Sequence, residues 1–358
     1  MGEISSIEIV GGGIGGLALG RSLVRSGLGG TIYEKRDRYG PTGLGLLLLP
    51  NGLAALDELG LGEDARACSN PIDLAVIRSC EGRALSQFPL REHRGIARHD
   101  LLTMLESGVG DSAVAWSHGL TELQQEADHV AFKVGGEWKR SRLLVGADGA
   151  GSFMRGLVAP DWNRTPCLVA ELVSVCDAPD LAALYDRTFV KHVKPGVPLA
   201  VGLVPAAYGQ VVWFVQFSLD HAPAVPRAFQ DKQAYLAELL EGWGDPIPEL
   251  IERTDYVHTH LWMTPAPGPS APMATGRVAL IGDASHPFPT LSSQGANSAL
   301  EDAVVLGRHL ALGGARPETL AAFAAERAPR IAEINAGGEQ LVTAFLAAED
   351  SEMLPMVQ

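Results

Sequence analysis

Three glycines with the spacing G-x-G-x-x-G, at positions 11, 13 and 16, directly follow the apolar run Ile7–Val10. This run, rich in β-branched residues, predicts a buried strand, and the amphipathic pattern from about Ile14 to Ser26 predicts a helix. Gly11 would allow a tight turn, Gly13 would let the backbone approach a pyrophosphate, and Gly16 would let the helix pack closely on the strand. Because the helix N-terminus favours negative charge, the segment predicts a dinucleotide-phosphate site.

An acidic residue follows the second apolar run, Thr31–Glu34. Glu34 lies about twenty residues after the glycines, at the end of this predicted strand, where it would accept hydrogen bonds from a ribose 2′-hydroxyl. A carboxylate disfavours a 2′-phosphate, so FAD or NAD is favoured over NADP at this site. The glycine motif alone does not separate FAD from NAD.

Two further aspartates follow apolar strands. Asp148 comes after Leu143–Ala147 in the pattern D-G-x-x-S-x-x-R, and Asp283 comes after Val278–Ile281 in a Gly-Asp turn. A carboxylate at the end of a buried strand costs several kcal/mol unless it finds a hydrogen-bond donor. A sugar-like hydroxyl of a ligand is one such donor. The alternative is a structural turn or helix-capping role.

These three motifs together resemble the para-hydroxybenzoate hydroxylase-like family of single-component FAD monooxygenases, also called group A. Other segments match the family's E-R…G-x-G…P-N stretch, the Arg of its H-R-x-x-L segment and its late Y-x-x-E-R helix. The His of the H-R pair is replaced by Ala97. The resemblance extends over nearly the whole chain and is weakest in its middle part. The matching residues are Glu34-Lys35-Arg36, Gly43-Leu44-Gly45, Leu49-Pro50-Asn51, Arg98 and Phe323–Arg327.

The resemblance implies a tightly, non-covalently bound FAD and an NAD(P)H that docks, gives hydride and leaves. No second G-x-G-x-x-G motif is present for a nicotinamide domain. Reduced flavin would react with O2 to form a flavin hydroperoxide, which would hydroxylate or epoxidise an aromatic or polycyclic small molecule. The cofactor does this chemistry while the protein positions and desolvates the reactants. No catalytic side chain and no metal ligand is therefore assigned.

The same resemblance implies which residues bind FAD. Asp283 would accept a hydrogen bond from a ribityl hydroxyl, and the helix that begins near Gln294 would point its free N–H groups at the N1–C2=O edge of the flavin. Reduced flavin carries negative charge at this edge, which a helix N-terminus stabilises. The implied FAD-binding residues are Gly11, Gly13, Ile14, Gly15, Gly16, Glu34, Lys35, Arg36, Gly45, Arg98, Asp148, Gly282, Asp283, Pro289, Gly295, Ala296 and Asn297.

Two residues depart from the family's H-x-x-x-P-x-x-G-Q-G loop. Thr290 stands where Pro is usual, and Ser293 stands where Gly is usual. One interpretation is an altered substrate contact or oxygen reaction. The more ordinary interpretation is sequence drift with the same backbone path.

The elements that position these motifs predict an α/β protein with a Rossmann-like, glutathione-reductase-type FAD-binding domain. We expect this domain to combine residues 1–165 and 266–358, including C-terminal helices. Residues 166–265 change character to alternating strands, which predicts an inserted, mostly antiparallel substrate sheet. In it Trp213, Val215 and Phe217 share one face, and Phe214 and Gln216 share the other.

The pattern does not say which face of this sheet lines a pocket. Aromatic residues in such strands more often belong to the hydrophobic core than to a substrate pocket. Two His residues at strand spacing more often have a structural role than a role in proton transfer. Gln216, His260 and Thr290 are pocket candidates, with His258, His260 and Trp262 expected on one face.

Composition limits the partners. The net charge of -14 over 358 residues argues against nucleic acid or an anionic membrane as the main partner. The four cysteines have no zinc-site spacing, no signal peptide is visible, and the apolar run Leu44–Leu49 is too short for a membrane anchor. We therefore expect a cytoplasmic monomer or homodimer that binds a small organic substrate and O2.

Two other functions stay open. An FAD-dependent oxidase, dehydrogenase or cyclase on the same fold would turn over substrate without NAD(P)H, and the changes at Thr290 and Ser293 motivate it. A non-catalytic ligand-binding protein on this fold would lack flavin or hold it only structurally. A plain NAD dehydrogenase is disfavoured, because it would leave the Gly-Asp turn and the D-G-x-x-S-x-x-R pattern without a role.

Overall fold

The computed structural model describes residues 5–358 apart from 40–43, 111–112, 164, 223–230, 267, 269 and 350–351. Gly43 of the matched G-x-G segment lies outside the described residues. The strands are β1 (Ser5–Val10), β2 (Ile32–Tyr33), β3 (Gly45–Leu48), β4 (Asn70–Ser79), β5 (Ala84–Ala97), β6 (Val114–Ala115), β7 (Leu120–Gln125), β8 (Val130–Val134), β9 (Glu137–Gly146), β10 (Cys167–Asp177), β11 (Thr188–Val193), β12 (Leu199–Pro205), β13 (Gln210–Ser218), β14 (His260–Pro265), β15 (Ala274–Thr275) and β16 (Val278–Leu280). The helices are α1 (Ile14–Arg25), α2 (Pro50–Glu58), α3 (Gly62–Ala67), α4 (Arg98–Ser107), α5 (Phe153–Val158), α6 (Pro179–Leu184), α7 (Lys232–Leu239), α8 (Ile247–Arg253), α9 (Gly295–Gly313) and α10 (Pro317–Leu346).

The first sheet has the order β15-β16-β9-β1-β2-β6, and the β7–β8 hairpin extends it from β9. Strands β16, β9, β1 and β2 run parallel. Their apolar residues are buried because parallel strands are covered on both faces. The predicted first strand, helix and second strand are confirmed as β1, α1 and β2.

The second sheet has the order β14-β10-β13-β12-β11-β4-β5-β3 and is antiparallel except for the parallel pair β11 and β4. It confirms a mostly antiparallel substrate sheet. The sheet is larger than the block 166–265, because β3, β4 and β5 come from the N-terminal part of the chain. Their residues Leu47 and Ile72 pack in one cluster with Val173 and Phe189 of the inserted strands. The domain boundaries stay a prediction.

The parallel strands place the three motifs together. The carboxyl ends of β1, β9 and β16 meet at one edge of the sheet, where ligands of open α/β sheets bind. Helix α9 packs closely on α1, since a Cβ on Gly307 would lie 2.0 Å from the Ser22 hydroxyl. The predicted C-terminal helices form one long helix, α10. In the part of the chain that the structure describes, no helix has the length and apolar character needed to cross a membrane.

Candidate active site

The glycine loop between β1 and α1 leaves open space in front of the helix. Gly11 has a φ of +108°, and a Cβ there would lie 2.3 Å from the Ala147 carbonyl oxygen. A Cβ on Gly16 would lie 1.9 Å from the Gly11 carbonyl oxygen, so the helix can sit this close only with glycine. No atom lies within 4 Å of a Cβ built on Gly13, which caps the N-terminus of α1. The loop therefore has the space and the amide dipoles that fit a pyrophosphate.

Glu34 lies buried at the end of β2, beside this loop. Its carboxylate accepts hydrogen bonds from the backbone N–H of Gly12 (2.7 Å) and of Arg36 (3.0 Å). Each oxygen keeps a further lone pair for a ribose hydroxyl. The Tyr39 hydroxyl donates to the Gly12 carbonyl, a contact that the sequence did not suggest. The Lys35 and Arg36 side chains are exposed beside this loop.

The carboxylate of Asp148 is used within its own loop. It accepts hydrogen bonds from the Ser152 hydroxyl (2.5 Å) and the Met154 N–H (3.1 Å), and Ser152 in turn caps α5. Arg155 of the same motif donates to the carbonyls of Asp283 (3.0 Å) and Ala284 (2.9 Å). Arg155 of the D-G-x-x-S-x-x-R pattern thus connects the Asp148 loop to the Gly282-Asp283 turn.

The Gly282-Asp283 turn is held from behind by a buried ionic network. Gly282 has a φ of +57°, and its N–H donates to Asp302 of α9 (2.8 Å). Asp302 also binds His286 (2.6 Å) and Arg327 of α10 (2.7 Å). Burial opposes the charge on Asp302, but the His286 ring and the Arg327 guanidinium hold the pKa of its carboxyl below its usual range. The sequence did not assign roles to Asp302 or His286. Arg327 was matched only to the family's Y-x-x-E-R helix, and no contact was predicted for it.

The loop before α9 has the backbone path that a glycine would favour. Ser293 adopts the left-handed conformation (φ +57°, ψ +15°) at the position where the family has Gly. The helix begins at Gly295 with Gln294 as its cap, as expected. The Asn297 side chain does not face the flavin site, because its amide binds the Leu47 carbonyl (3.0 Å) and the Leu49 N–H (3.0 Å). At Asn297 only the backbone N–H is left for the implied flavin contact.

One cavity of about 320 Å³ joins the glycine loop to the second sheet. We call it the central cavity. It is lined by ten of the residues that the resemblance implies for FAD binding, namely Gly13, Ile14, Gly15, Gly45, Arg98, Gly282, Asp283, Pro289, Gly295 and Ala296. Arg98 begins α4, and burial together with the nearby Arg36 charge lowers the pKa of its guanidinium. The cavity therefore brings most of the implied FAD-binding residues to one space.

On the side of the second sheet, the central cavity is lined by Phe214 and Gln216 of β13, which share one face. Trp213, on the opposite face, is buried in a separate core cluster with Val215 and Phe217. Further apolar lining includes Val212 of β13 and, from other strands of the same sheet, Val173, Phe189 and Trp262. Of the three pocket candidates, Gln216 and Thr290 line the cavity, whereas His260 is exposed and packs on Trp262 (ring centroids 4.3 Å apart). His258 lies in a short turn before β14, so the expected shared face with His260 is wrong.

A buried carboxyl in the cavity wall was missed. Glu171 of β10 accepts a hydrogen bond from the Gln216 amide (2.5 Å) and also interacts with Thr290 and Lys191. Burial raises the pKa of Glu171 to about 7, while the hydrogen bonds and the Lys191 charge oppose the rise. The signal in the sequence was a lone acidic residue inside the apolar run Leu168–Val175.

The segment 352–358 also reaches this site. The Val357 N–H donates to the Ser292 carbonyl (3.0 Å), and Gln294 donates to the Val357 carbonyl (2.9 Å). Met356 is buried against the second sheet, and Pro355 lines the central cavity. This short apolar segment, which contains one proline, has no helix or strand pattern that predicted its position.

Comparison with known proteins gives the same assignment. Residues 4–336 match the family model described as "FAD binding domain". The chain is 29% identical over 353 residues to the aurachin C monooxygenase/isomerase of Stigmatella aurantiaca (94% of this chain, 88% of that protein). It is 30% identical over 357 residues to the 3-hydroxybenzoate 6-hydroxylase of Klebsiella oxytoca (93% of this chain, 87% of that protein).

A solved structure agrees over the whole fold. The structure of Klebsiella pneumoniae HpxO complexed with FAD and uric acid superposes with a TM-score of 0.83, at 25% identity, over 96% of this chain and 88% of that one. The glycine loop, the meeting of the carboxyl ends of β1, β9 and β16, and the family match all indicate FAD. The chain belongs to the para-hydroxybenzoate hydroxylase-like family and is an FAD-dependent monooxygenase.

Proposed function

We propose that this enzyme uses NAD(P)H and O2 to hydroxylate or epoxidise an aromatic or polycyclic small molecule. The observation that carries the proposal is the central cavity, which runs from the glycine loop to a wall of Phe189, Phe214 and Trp262. Relatives with similar sequences are named for oxidation of hydroxybenzoate and urate rings. An apolar wall beside the cofactor groove suits a substrate of that shape.

The chain's own groups would hold FAD along the first-sheet side. Gly13 and the N-terminus of α1 would bind the pyrophosphate, Glu34 the adenosine ribose, and Asp283 a ribityl hydroxyl. The N–H groups at Gly295 and Ala296 would stabilise negative charge at the flavin ring. When bound, FAD supplies the redox chemistry, taking hydride from NAD(P)H and activating O2. The apolar wall would exclude water from the reacting ring.

We also propose a transient reductant site and a cytoplasmic location. The sequence has only one dinucleotide motif, which supports an NAD(P)H that docks and leaves. All four cysteines are free thiols, which supports a reducing compartment. A monomer or homodimer stays our expectation for the assembly.

The first experiment is an absorbance spectrum of purified protein, followed by NADH or NADPH addition in air with a panel of aromatic ligands. We expect a flavin band that bleaches with the reductant, faster with a suitable ligand, and a product that carries one atom from labelled O2. A flavin band that ignores both reductants across all ligands would instead favour an oxidase, dehydrogenase or cyclase. Protein that takes up no flavin after FAD addition would favour a non-catalytic ligand-binding protein.

A matched pair of variants ties this result to the glycine loop. Gly13→Val should abolish FAD retention, because its side chain would fill the space left for the pyrophosphate. Gly29→Val is the control, since Gly29 is exposed and also has no atom within 4 Å of a built Cβ. Equal FAD content in the two purified proteins would contradict the placement of the pyrophosphate.

A further inference from the structure

One part of the central cavity wall comes from residues 354–358, which belong to no helix or strand. We call these residues the tail segment. Pro355 is buried and lines the cavity, together with residues of the two sheets and of the loop before α9. An irregular segment can form a wall only if other contacts fix its position, so those contacts decide what the tail segment can do.

Hydrogen bonds anchor the tail segment on the loop before α9. The Val357 N–H donates to the Ser292 carbonyl (3.0 Å), and the Gln294 amide donates to the Val357 carbonyl (2.9 Å). The Asn51 amide in turn donates to the side-chain oxygen of Gln294 (2.9 Å). Both backbone groups of Val357 are therefore satisfied by the loop that borders the flavin side of the cavity.

Side-chain packing fixes the tail segment on two further surfaces. Met356 is buried in the same apolar cluster as Leu47 and Phe189, which both line the cavity. A Cβ on Gly337 of α10 would lie only 2.9 Å from the Val357 side chain, so the segment also packs closely on this helix. Pro355 lies between these two anchored neighbours, and a ligand could displace it only by breaking their contacts.

Proline has two properties that suit this position in the wall. It has no backbone N–H, so Pro355 adds no donor that would need a partner beside the apolar residues of the cavity. Its ring restricts φ and cannot rotate away as a longer side chain could. Pro355 therefore presents a rigid apolar surface to the cavity.

We propose that Pro355 is a specificity-determining residue, which limits how far a planar ligand extends from the flavin side of the cavity toward the tail segment. The ligands it favours are compact planar molecules over longer fused-ring ones. This inference rests on the proposed function, since it needs the substrate to occupy the central cavity beside the flavin. It adds a limit on length to a pocket whose aromatic wall suits flat molecules.

The test compares quinoline with acridine, two planar probes that differ by one fused ring. Both carry the same acceptor nitrogen and no hydrogen-bond donor. Binding is measured from the change in the long-wavelength flavin band, with excess FAD and no reductant, at a pH where both probes are uncharged. The quantity of interest is the affinity for acridine divided by the affinity for quinoline. The difference in lipophilicity between the probes cancels when this ratio is compared between variants.

The decisive variant is Pro355→Ala, which removes part of the ring from the wall. We expect the ratio to rise roughly tenfold, because the added space helps only the longer probe. Pro160→Ala is the matched control, since Pro160 is exposed just after α5, and it should keep the wild-type ratio. Equal ratios in the two variants, or no binding of either probe to the wild type, would overturn the proposal.

A second pair of variants tests whether packing holds this wall in place. Met356→Ala removes the buried side chain that seats the tail segment, and we expect the ratio to rise roughly threefold or more while Pro355 is intact. Met353→Ala is its control, because Met353 is half-buried and packs against a different core cluster. A wild-type ratio in Met356→Ala would refute the role of this packing. None of these measurements uses NAD(P)H or O2, so failure of the proposed oxygenation would appear separately, as absent turnover with intact size selection.

Discussion

Burial of Glu171 should leave a signature in the pH dependence of stability. Burial raises the pKa of this carboxyl from its usual 4.5 to about 7, against the opposing effects of Gln216, Thr290 and Lys191. Because a tenfold change in proton affinity is worth about 1.4 kcal/mol, this rise corresponds to about 3 kcal/mol. The perturbation that removes it is Glu171→Gln, which keeps the size of the side chain and stays neutral at every pH.

The sign follows from proton binding. The folded protein binds the Glu171 proton more tightly than the unfolded chain does, so protonation stabilises the fold. This stabilisation is fully present below pH 4.5 and is lost as the pH rises through about 7. The variant has no such loss. Its free energy of unfolding should therefore rise relative to wild type by about 2 kcal/mol between about pH 5 and pH 8.

The assay is urea unfolding of both proteins at several pH values, with the same excess of FAD throughout. The other titrating groups are common to the two proteins and cancel in the difference. Glu238→Gln is the control, because it removes one acidic group from the exposed face of α7. Glu171→Gln and wild-type curves that stay parallel from pH 5 to pH 8 would refute the claim that Glu171 is buried with a raised pKa.

Three further substitutions test the flavin side of the site. Asp283→Ala should weaken FAD retention roughly tenfold or more by removing one charge-assisted hydrogen bond, measured by FAD titration, and unchanged retention would contradict the assigned contact. Asp302→Asn should lower the free energy of unfolding by about 3 kcal/mol in urea, because it leaves the buried Arg327 guanidinium without its main partner; a loss below about 1 kcal/mol would mean that the network is not stabilising. Ser293→Gly should raise stability by up to about 1 kcal/mol, since glycine adopts the left-handed conformation without steric cost, and a destabilised variant would argue that the serine side chain makes a needed contact.

The cofactor half of the site could be predicted from the sequence because its signals are local. The glycine loop, Glu34 and the Gly-Asp turn each lie within a few residues of the strand that positions them. Close approach can be deduced there from residue size alone, as at Gly16. The helix that begins at Gly295 was likewise marked by its own sequence.

The substrate half could not be predicted because its contacts are distant in sequence. Glu171 and Gln216 are 45 residues apart and meet only through strand register. A shift of one residue in that register would place the two side chains on opposite faces of the sheet. The parallel pairing of β4 with β11 likewise depends on the packing of the whole sheet. The residue pattern of a single strand does not predict which strand it pairs with.

The two departures from the family loop have different physical meanings. Ser293 keeps the backbone path of a glycine, which supports the interpretation of drift for that residue. Thr290 is different, because its hydroxyl bonds Thr264 and supports the Glu171 carboxyl, and a proline side chain has no group that could do either. The loop that borders the flavin side therefore also holds the polar pair on the substrate side. Since Thr290 connects the two, the change from proline at this position belongs with Glu171 and Gln216 as one hydrogen-bonded unit in the cavity wall.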